Sequence, residues 1–129
     1  MERNKSLGLL SIARKGRRIE LGEEPVAALA RVGKARLVLL AEDAGESIQK
    51  KAERLVNGTK QQLLVVPFDK QTLGQAMGYS PVSIAAFSDI SLAVAFVKTL
   101  EPAEQYAELL QFLEARAERF QKRAGTKKK

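Results

Sequence analysis

Residues 37–41 read Leu-Val-Leu-Leu-Ala, an apolar run with no polar residue alternating through it. A strand with one face in water alternates apolar and polar side chains, so an unbroken run marks a strand covered on both faces. Such a strand lies inside a sheet and needs helices above and below it. That requirement confines the chain to a layered α/β fold.

The other segments supply the layers. Leu7, Leu10 and Ala13 fall at helical spacing, which predicts a helix over 4–15 that Gly16 stops. Ile19 and Leu21 alternate with polar neighbours and predict a short strand ending at Gly22. Glu23-Glu24-Pro25 reads as the first turn of a helix to about 32, because acids favour the positive end of the helix dipole and Pro is tolerated there. Gly33 closes that helix as a left-handed cap. Ile48, Ala52, Leu55 and Val56 predict a helix over about 46–57, and Leu63–Val66 a second buried strand. After a turn at Pro67-Phe68-Asp69, Leu73, Ala76 and Met77 mark a short helix capped by Gly78, with Tyr79–Val82 as a loop. Ser83–Phe87 reads as a fourth strand, and Leu92, Ala93, Phe96, Val97 and Leu100 as another helical stripe.

The expected fold is a three-layer α/β/α sandwich around a small four-stranded mixed sheet, largely parallel, with a C-terminal helical extension. Residues 1–100 form the domain. Beyond Glu101-Pro102, residues 101–129 carry Tyr106, Leu109, Leu110, Leu113, Ala117 and Phe120 on one side of a long helix over about 103–123, followed by a Lys-rich tail. In a chain of 129 residues that stripe is expected to pack on its own domain. The alternative is a protein partner or a second copy, met through the same helix.

The residue inventory removes much chemistry. Neither Cys nor His occurs, which excludes disulfides, zinc-thiolate sites and cysteine nucleophiles, and with them the commonest general base and metal ligand. No phosphate-binding glycine loop and no Gly-x-Ser-x-Gly elbow is present. Glu42-Asp43 sits at the carboxyl end of the central strand, where open α/β sheets bind ligands, but Asp43 before Ala-Gly-Glu-Ser is read as a turn and N-cap region. No catalysis, cofactor or metal is therefore expected. No apolar stretch approaches the ~20 residues of a membrane span, and without a secretory signal the expected location is the cytoplasm.

Charge is the remaining signal. The net +7 is concentrated at the two ends of the chain. Residues 1–18 carry six bases against Glu2, a net of +5, and residues 116–129 seven bases against Glu118, a net of +6, while residues 19–115 are net −4. Basic termini of this kind meet a polyanion first. With five Phe, two Tyr and no aromatic-rich strand, base stacking across the sheet surface is not expected. Recognition falls instead to helix ends and loops, with Gly22-Glu23 opening a helix whose free N–H groups face phosphate or base edges.

The order of Leu9-Leu10-Ser11-Ile12-Ala13-Arg14-Lys15-Gly16, Leu21-Gly22-Glu23-Glu24, Gly33-Lys34-Ala35-Arg36-Leu37-Val38-Leu39-Leu40-Ala41-Glu42-Asp43 and Leu73-Gly74-Gln75-Ala76-Met77-Gly78 resembles the ribosomal protein L7Ae (seven-Ae) superfamily, over about residues 4–98. It is closest to the small bacterial members. The resemblance implies the α/β/α sandwich and binding of kink-turn RNA by the start of the second helix and the loop after Leu-Gly-x-Ala-x-Gly, here Gly22–Ala28 and Tyr79–Ser83. The family pattern places Asn, Glu and Lys two, three and six positions after the glycine, where this chain has Glu24, Pro25 and Ala28. An amide that reads base edges and a lysine charge are thereby missing.

These readings combine into an RNA-binding accessory protein of the ribosome or translation machinery. Arg14, Lys15, Arg17 and Arg18 are expected to contact phosphate, and Gly22, Glu23, Glu24, Ala28 and Arg31 on the second helix to shape the site. Tyr79, Ser80, Pro81 and Val82 form the second loop, where Pro81 stiffens the backbone and Val82 offers apolar surface to an exposed base. The arginine cluster and both loops are expected to converge on one exposed concavity.

Overall fold

The computed structural model describes residues 2–79 and 81–128; Met1, Ser80, Lys129 and the side chains of residues 2–4 and 123–128, which include Arg3 and the rest of the Lys-rich tail, lie outside the described residues. The elements follow in the order α1 (Glu2–Lys15), β1 (Ile19–Leu21), α2 (Glu23–Arg31), β2 (Leu37–Leu40), α3 (Glu46–Val56), β3 (Gln62–Val65), α4 (Lys70–Ala76), β4 (Ile84–Phe87) and α5 (Ile90–Lys98). A 3-10 turn at Ala103–Tyr106 then leads into α6 (Ala107–Lys128).

The strands form one sheet in the order β1-β4-β2-β3. All four residues of β2 are buried, as the apolar run requires, and so are all four of β4. The helices α2 and α3 pack together on one face of the sheet, while α1, α5 and α6 pack side by side on the other. Phe87 and Phe96 meet in the core at 5.5 Å between ring centroids, joining β4 to α5.

Strand direction departs from the expectation of a largely parallel sheet. Only β2 and β3 run parallel, whereas β4 is antiparallel to both β1 and β2. The register explains why. Leu40 is paired with Val65 on one side and Ile84 on the other, so the chain leaves β3 and enters β4 at the same end of the sheet. The helix α4 has seven residues, about 10 Å of rise, and serves to shift the chain sideways rather than carry it back along a face.

The C-terminal helix folds back on the domain. Leu113 is fully buried and Tyr106 nearly so, and the side of α6 that carries them lies against α5 and beside β3. Its first turn is 3-10 rather than α, with Pro102 at the N-cap. Of the stripe, Tyr106 and Leu113 are buried against the chain's own domain, while Leu109, Leu110 and Phe120 stay half-exposed.

Candidate nucleic-acid interface

The sheet register creates two distinct ends. Leu21, Leu40, Val65 and Ile84 lie together at one, the Gly22 end; Ile19, Leu37, Gln62 and Phe87 lie at the other, the Phe87 end.

At the Gly22 end, β1 passes directly into α2. Gly22 is the N-cap at φ 94 and ψ 165, a region open essentially to glycine, and its N–H donates to Ile84 O at 2.9 Å. No side chain caps the helix. The first intrahelical bond runs from Val26 N–H to Gly22 O and Pro25 has no N–H, so the N–H groups of Glu23 and Glu24 point out of the positive end of the helix. An exchange of Gly22 for Ala is expected to cost about 1–3 kcal/mol of stability from backbone strain alone, measurable in urea.

The second loop is drawn to the same place. Val82 N–H donates to Lys70 O at 3.1 Å and Ala41 N–H to Ser83 O at 2.9 Å, which ties the loop to α4 and to the end of β2. At the end of α4, Gly78 takes φ 69, with Gly78 N–H bonding Gln75 O and Tyr79 N–H bonding Gly74 O, the double closure of a Schellman motif. That closure turns Tyr79 outward, 57% exposed. Pro81 is exposed beside it. Val82 corrects the sequence expectation: it is 3% exposed and belongs to the core, so the apolar surface of this loop is the Tyr79 ring. Loop residues next to a strand alternate in and out, and the strand that follows sends Val82 inward.

Asp43 does cap a helix, but not the one that follows it. Its Oδ1 accepts from Lys70 N–H at 2.9 Å, at the start of α4, where Asp69 Oδ1 also accepts from Thr72 N–H at 2.8 Å. The N-cap of α3 is Gly45, with no side-chain bond. Glu42 and Asp43 therefore serve to hold three loops together at this end, with Glu42 N–H donating to Phe68 O at 2.9 Å.

The arginine cluster lies elsewhere. Arg18 immediately precedes Ile19, which pairs with Phe87, and Ser88 N–H donates to Arg18 O at 2.9 Å. Arg14, Lys15 and Arg17 border a hollow of about 360 Å³ with Ile19 and Glu20, at the Phe87 end. From Arg18 to Gly22 the extended chain travels about 13 Å. The expected convergence of the arginines with both loops is accordingly overturned: a strand carries its two flanks to opposite ends of the sheet. Arg18 is further engaged by an ion pair with Asp89.

Along α2 the expected Arg31 is joined by two cations of α3 that the sequence expectations did not include, Lys51 and Arg54. A hollow of about 270 Å³ between α2 and α3 is bordered by Glu23, Glu24 and Arg31 from α2 and by Lys51 and Arg54 from α3. Lys51 Nζ donates to Glu23 Oε1 at 2.8 Å, withdrawing one carboxylate from the helix start. Ala27 lines this hollow, and Ala28 is exposed on the next position. The signal was the three-residue spacing of Lys51 and Arg54, which places both on one side of α3.

Residues 4–95 match the model of the ribosomal protein L7Ae/L30e/S12e/Gadd45 family. Among solved structures, the chain is similar to a protein with unknown function from Bacillus halodurans C, with 28% identity and a TM-score of 0.68 over 74% of this chain and 95% of that one. It also shares its fold with the 15.5kD RNA binding protein of Giardia lamblia, with 19% identity and a TM-score of 0.61 over 81% of this chain and 88% of that one. No curated protein matches the sequence.

Proposed function

The chain belongs to the ribosomal protein L7Ae/L30e/S12e/Gadd45 family, and from that premise we propose that it is a cytoplasmic RNA-binding accessory protein of the ribosome and translation machinery. Residues 1–100 are the RNA-binding unit, residues 101–129 its helical extension, and no reaction is assigned to either. The observation that carries this reading is the meeting of the uncapped start of α2 with the Tyr79 turn at one end of the sheet, joined through the Gly22–Ile84 bond. The shared fold of the Giardia lamblia RNA binding protein supports it.

The chemistry suits a structured RNA. Two outward N–H groups at the positive end of α2 donate to a phosphate oxygen or a base edge, Tyr79 provides a ring for an unstacked base, and Lys51, Arg54 and Arg31 flank the path of the backbone. Glu24 and Ala28 stand where a kink-turn reader of this family carries an amide and an ammonium, so recognition here rests on shape, stacking and backbone more than on base edges.

The test is binding of a bulged RNA duplex, with a kink-turn among the shapes offered, followed by fluorescence anisotropy. Tyr79→Ala, at an exposed position, is expected to weaken binding about tenfold, in line with the ~1–3 kcal/mol per stacked base. Unaltered affinity for every bulged RNA would remove the Gly22 end as the binding site.

A further inference from the structure

The Phe87 end of the sheet carries a second, separate concentration of positive charge, contributed by segments far apart in the sequence. Arg14, Lys15 and Arg17 surround one hollow at the β1 edge, with Glu20 as the single acid on its wall. At the β3 edge, Lys60, Arg116 and Arg119 surround another, of about 160 Å³, with Phe120 and no acid on its wall. Arg36 connects them. Its N–H donates to Phe87 O at 2.8 Å in the middle of this end, and its guanidinium lies 4.7 Å from the Phe120 ring centroid.

The same ring is covered by Arg116 at 5.4 Å, so Phe120 fixes two guanidinium groups that would otherwise be long and mobile. From β1 to β3 the row crosses three strand spacings, about 14 Å. A nucleic-acid duplex presents about eight charges over that length at the ~1.7 Å axial spacing of DNA.

Arg17 supplies an independent observation. Arg18 N–H bonds Ala13 O and Arg17 N–H bonds Arg14 O, which makes Arg17 the left-handed residue of a Schellman motif, at φ 57. Gly33 and Gly78 occupy the left-handed position at the ends of α2 and α4, and Gly16 is available one residue earlier in the chain. The backbone here carries strain that a glycine would relieve, in order to present a cation at the rim of the hollow.

We infer that the Phe87 end is a second RNA-binding surface, which holds the sugar-phosphate backbone of a double-stranded segment across Arg14, Arg17, Lys60 and Arg119. The inference rests on the RNA-binding reading above and adds to it a grip that is blind to sequence, on the side opposite the Tyr79 turn. The chain then holds a folded RNA at two places, with shape and unstacked bases met at the Gly22 end and duplex backbone at the Phe87 end. The C-terminal helix acquires a function in this scheme, because Arg119 and Phe120 belong to it and lie beyond the residues matched by the family.

The experiment uses the full chain and a blunt RNA duplex without bulge or loop, titrated at several salt concentrations. The pairs Lys60→Glu with Arg119→Glu, and Arg14→Glu with Arg17→Glu, lie at exposed positions and are expected to leave the urea midpoint in place. Each is expected to weaken duplex binding at least tenfold and to lower the salt slope by about two, one for each phosphate that is no longer neutralised. Tyr79→Ala is expected to leave duplex binding unchanged. Arg17→Gly is expected to raise the urea midpoint while weakening the duplex several-fold, a combination that a purely structural role for Arg17 does not give. A wild-type chain that binds bulged RNA and ignores the plain duplex overturns this inference and leaves the proposed function standing. So does one that ignores the duplex but sediments with anionic phospholipid vesicles. Duplex binding that survives both charge reversals overturns it as well.

Discussion

Replacing Phe87 by Ala is expected to remove about 3–5 kcal/mol of stability, the range for a buried aromatic truncated in a core that collapses incompletely. Phe87 is fully buried, stands opposite Ile19 of β1 and Leu37 of β2, and packs its ring on Phe96 of α5. It is thus where three strands and a helix of the second layer meet. A domain of this size holds about 5–15 kcal/mol in total, so the truncation removes a large share of the margin. With a slope near 1–3 kcal/mol/M, the urea midpoint is expected to fall by about 2 M. The effect should reach function too, since Arg36 N–H donates to Phe87 O and Ser88 N–H to Arg18 O at the same end. A loss under about 1 kcal/mol would contradict the burial of this ring at the hub of the sheet.

The second large effect concerns the C-terminal helix. Leu113 is fully buried, and Leu113→Asp places a carboxylate against α5 with no partner provided for it. The loss of the leucine alone costs about 2–5 kcal/mol, and the desolvated charge adds to it. The tyrosines report the outcome directly, because Tyr106 is 7% exposed and Tyr79 57%. In the native chain one tyrosine is shielded from acrylamide quenching; in Leu113→Asp both are expected to be open to it. The displaced helix uncovers the apolar flank of α5, so the variant is expected to associate on sizing. A native dimer that instead dissociates to monomers on this substitution would mean that the stripe joins two copies. Detachment also pulls Phe120 from Arg36 and disperses the cluster around Lys60, so plain-duplex affinity should fall together with stability.

Much of the fold was legible from local signals. The extents of α2 and α3 follow from apolar spacing and from Glu23-Glu24 and Gly33, all of which act within one or two helical turns of themselves, and the apolar stripe of α5 follows from spacing alone. The buried strand at 37–40 followed from an unbroken apolar run. The capping role of Asp43 was legible in kind but not in target. An aspartate before a helix looks like that helix's cap, and only the crossing of the chain reveals that α4, starting at Lys70, supplies the N–H. Val82 departs from the sequence expectation because a loop residue can face either way, and its direction depends on where β4 enters the sheet. The separation of Arg18 from Gly22 was within reach, since the strand predicted between them already implied a gap of about 13 Å.

From the sequence alone come the elements, their order, the layered class, the absence of Cys and His, and the pooling of charge at the two termini of the chain. These depend on interactions spanning a few residues or on composition, and both are written along the chain. Tertiary structure alone decided that β4 runs against its neighbours, that the arginine cluster stands at the opposite end of the sheet from Gly22, and that bases from residues 14–17, 36, 60 and 116–119 share that end. Those facts turn on which strands pair and in which direction. Pairing is settled by the burial of distant apolar faces against one another, a choice that no local window contains.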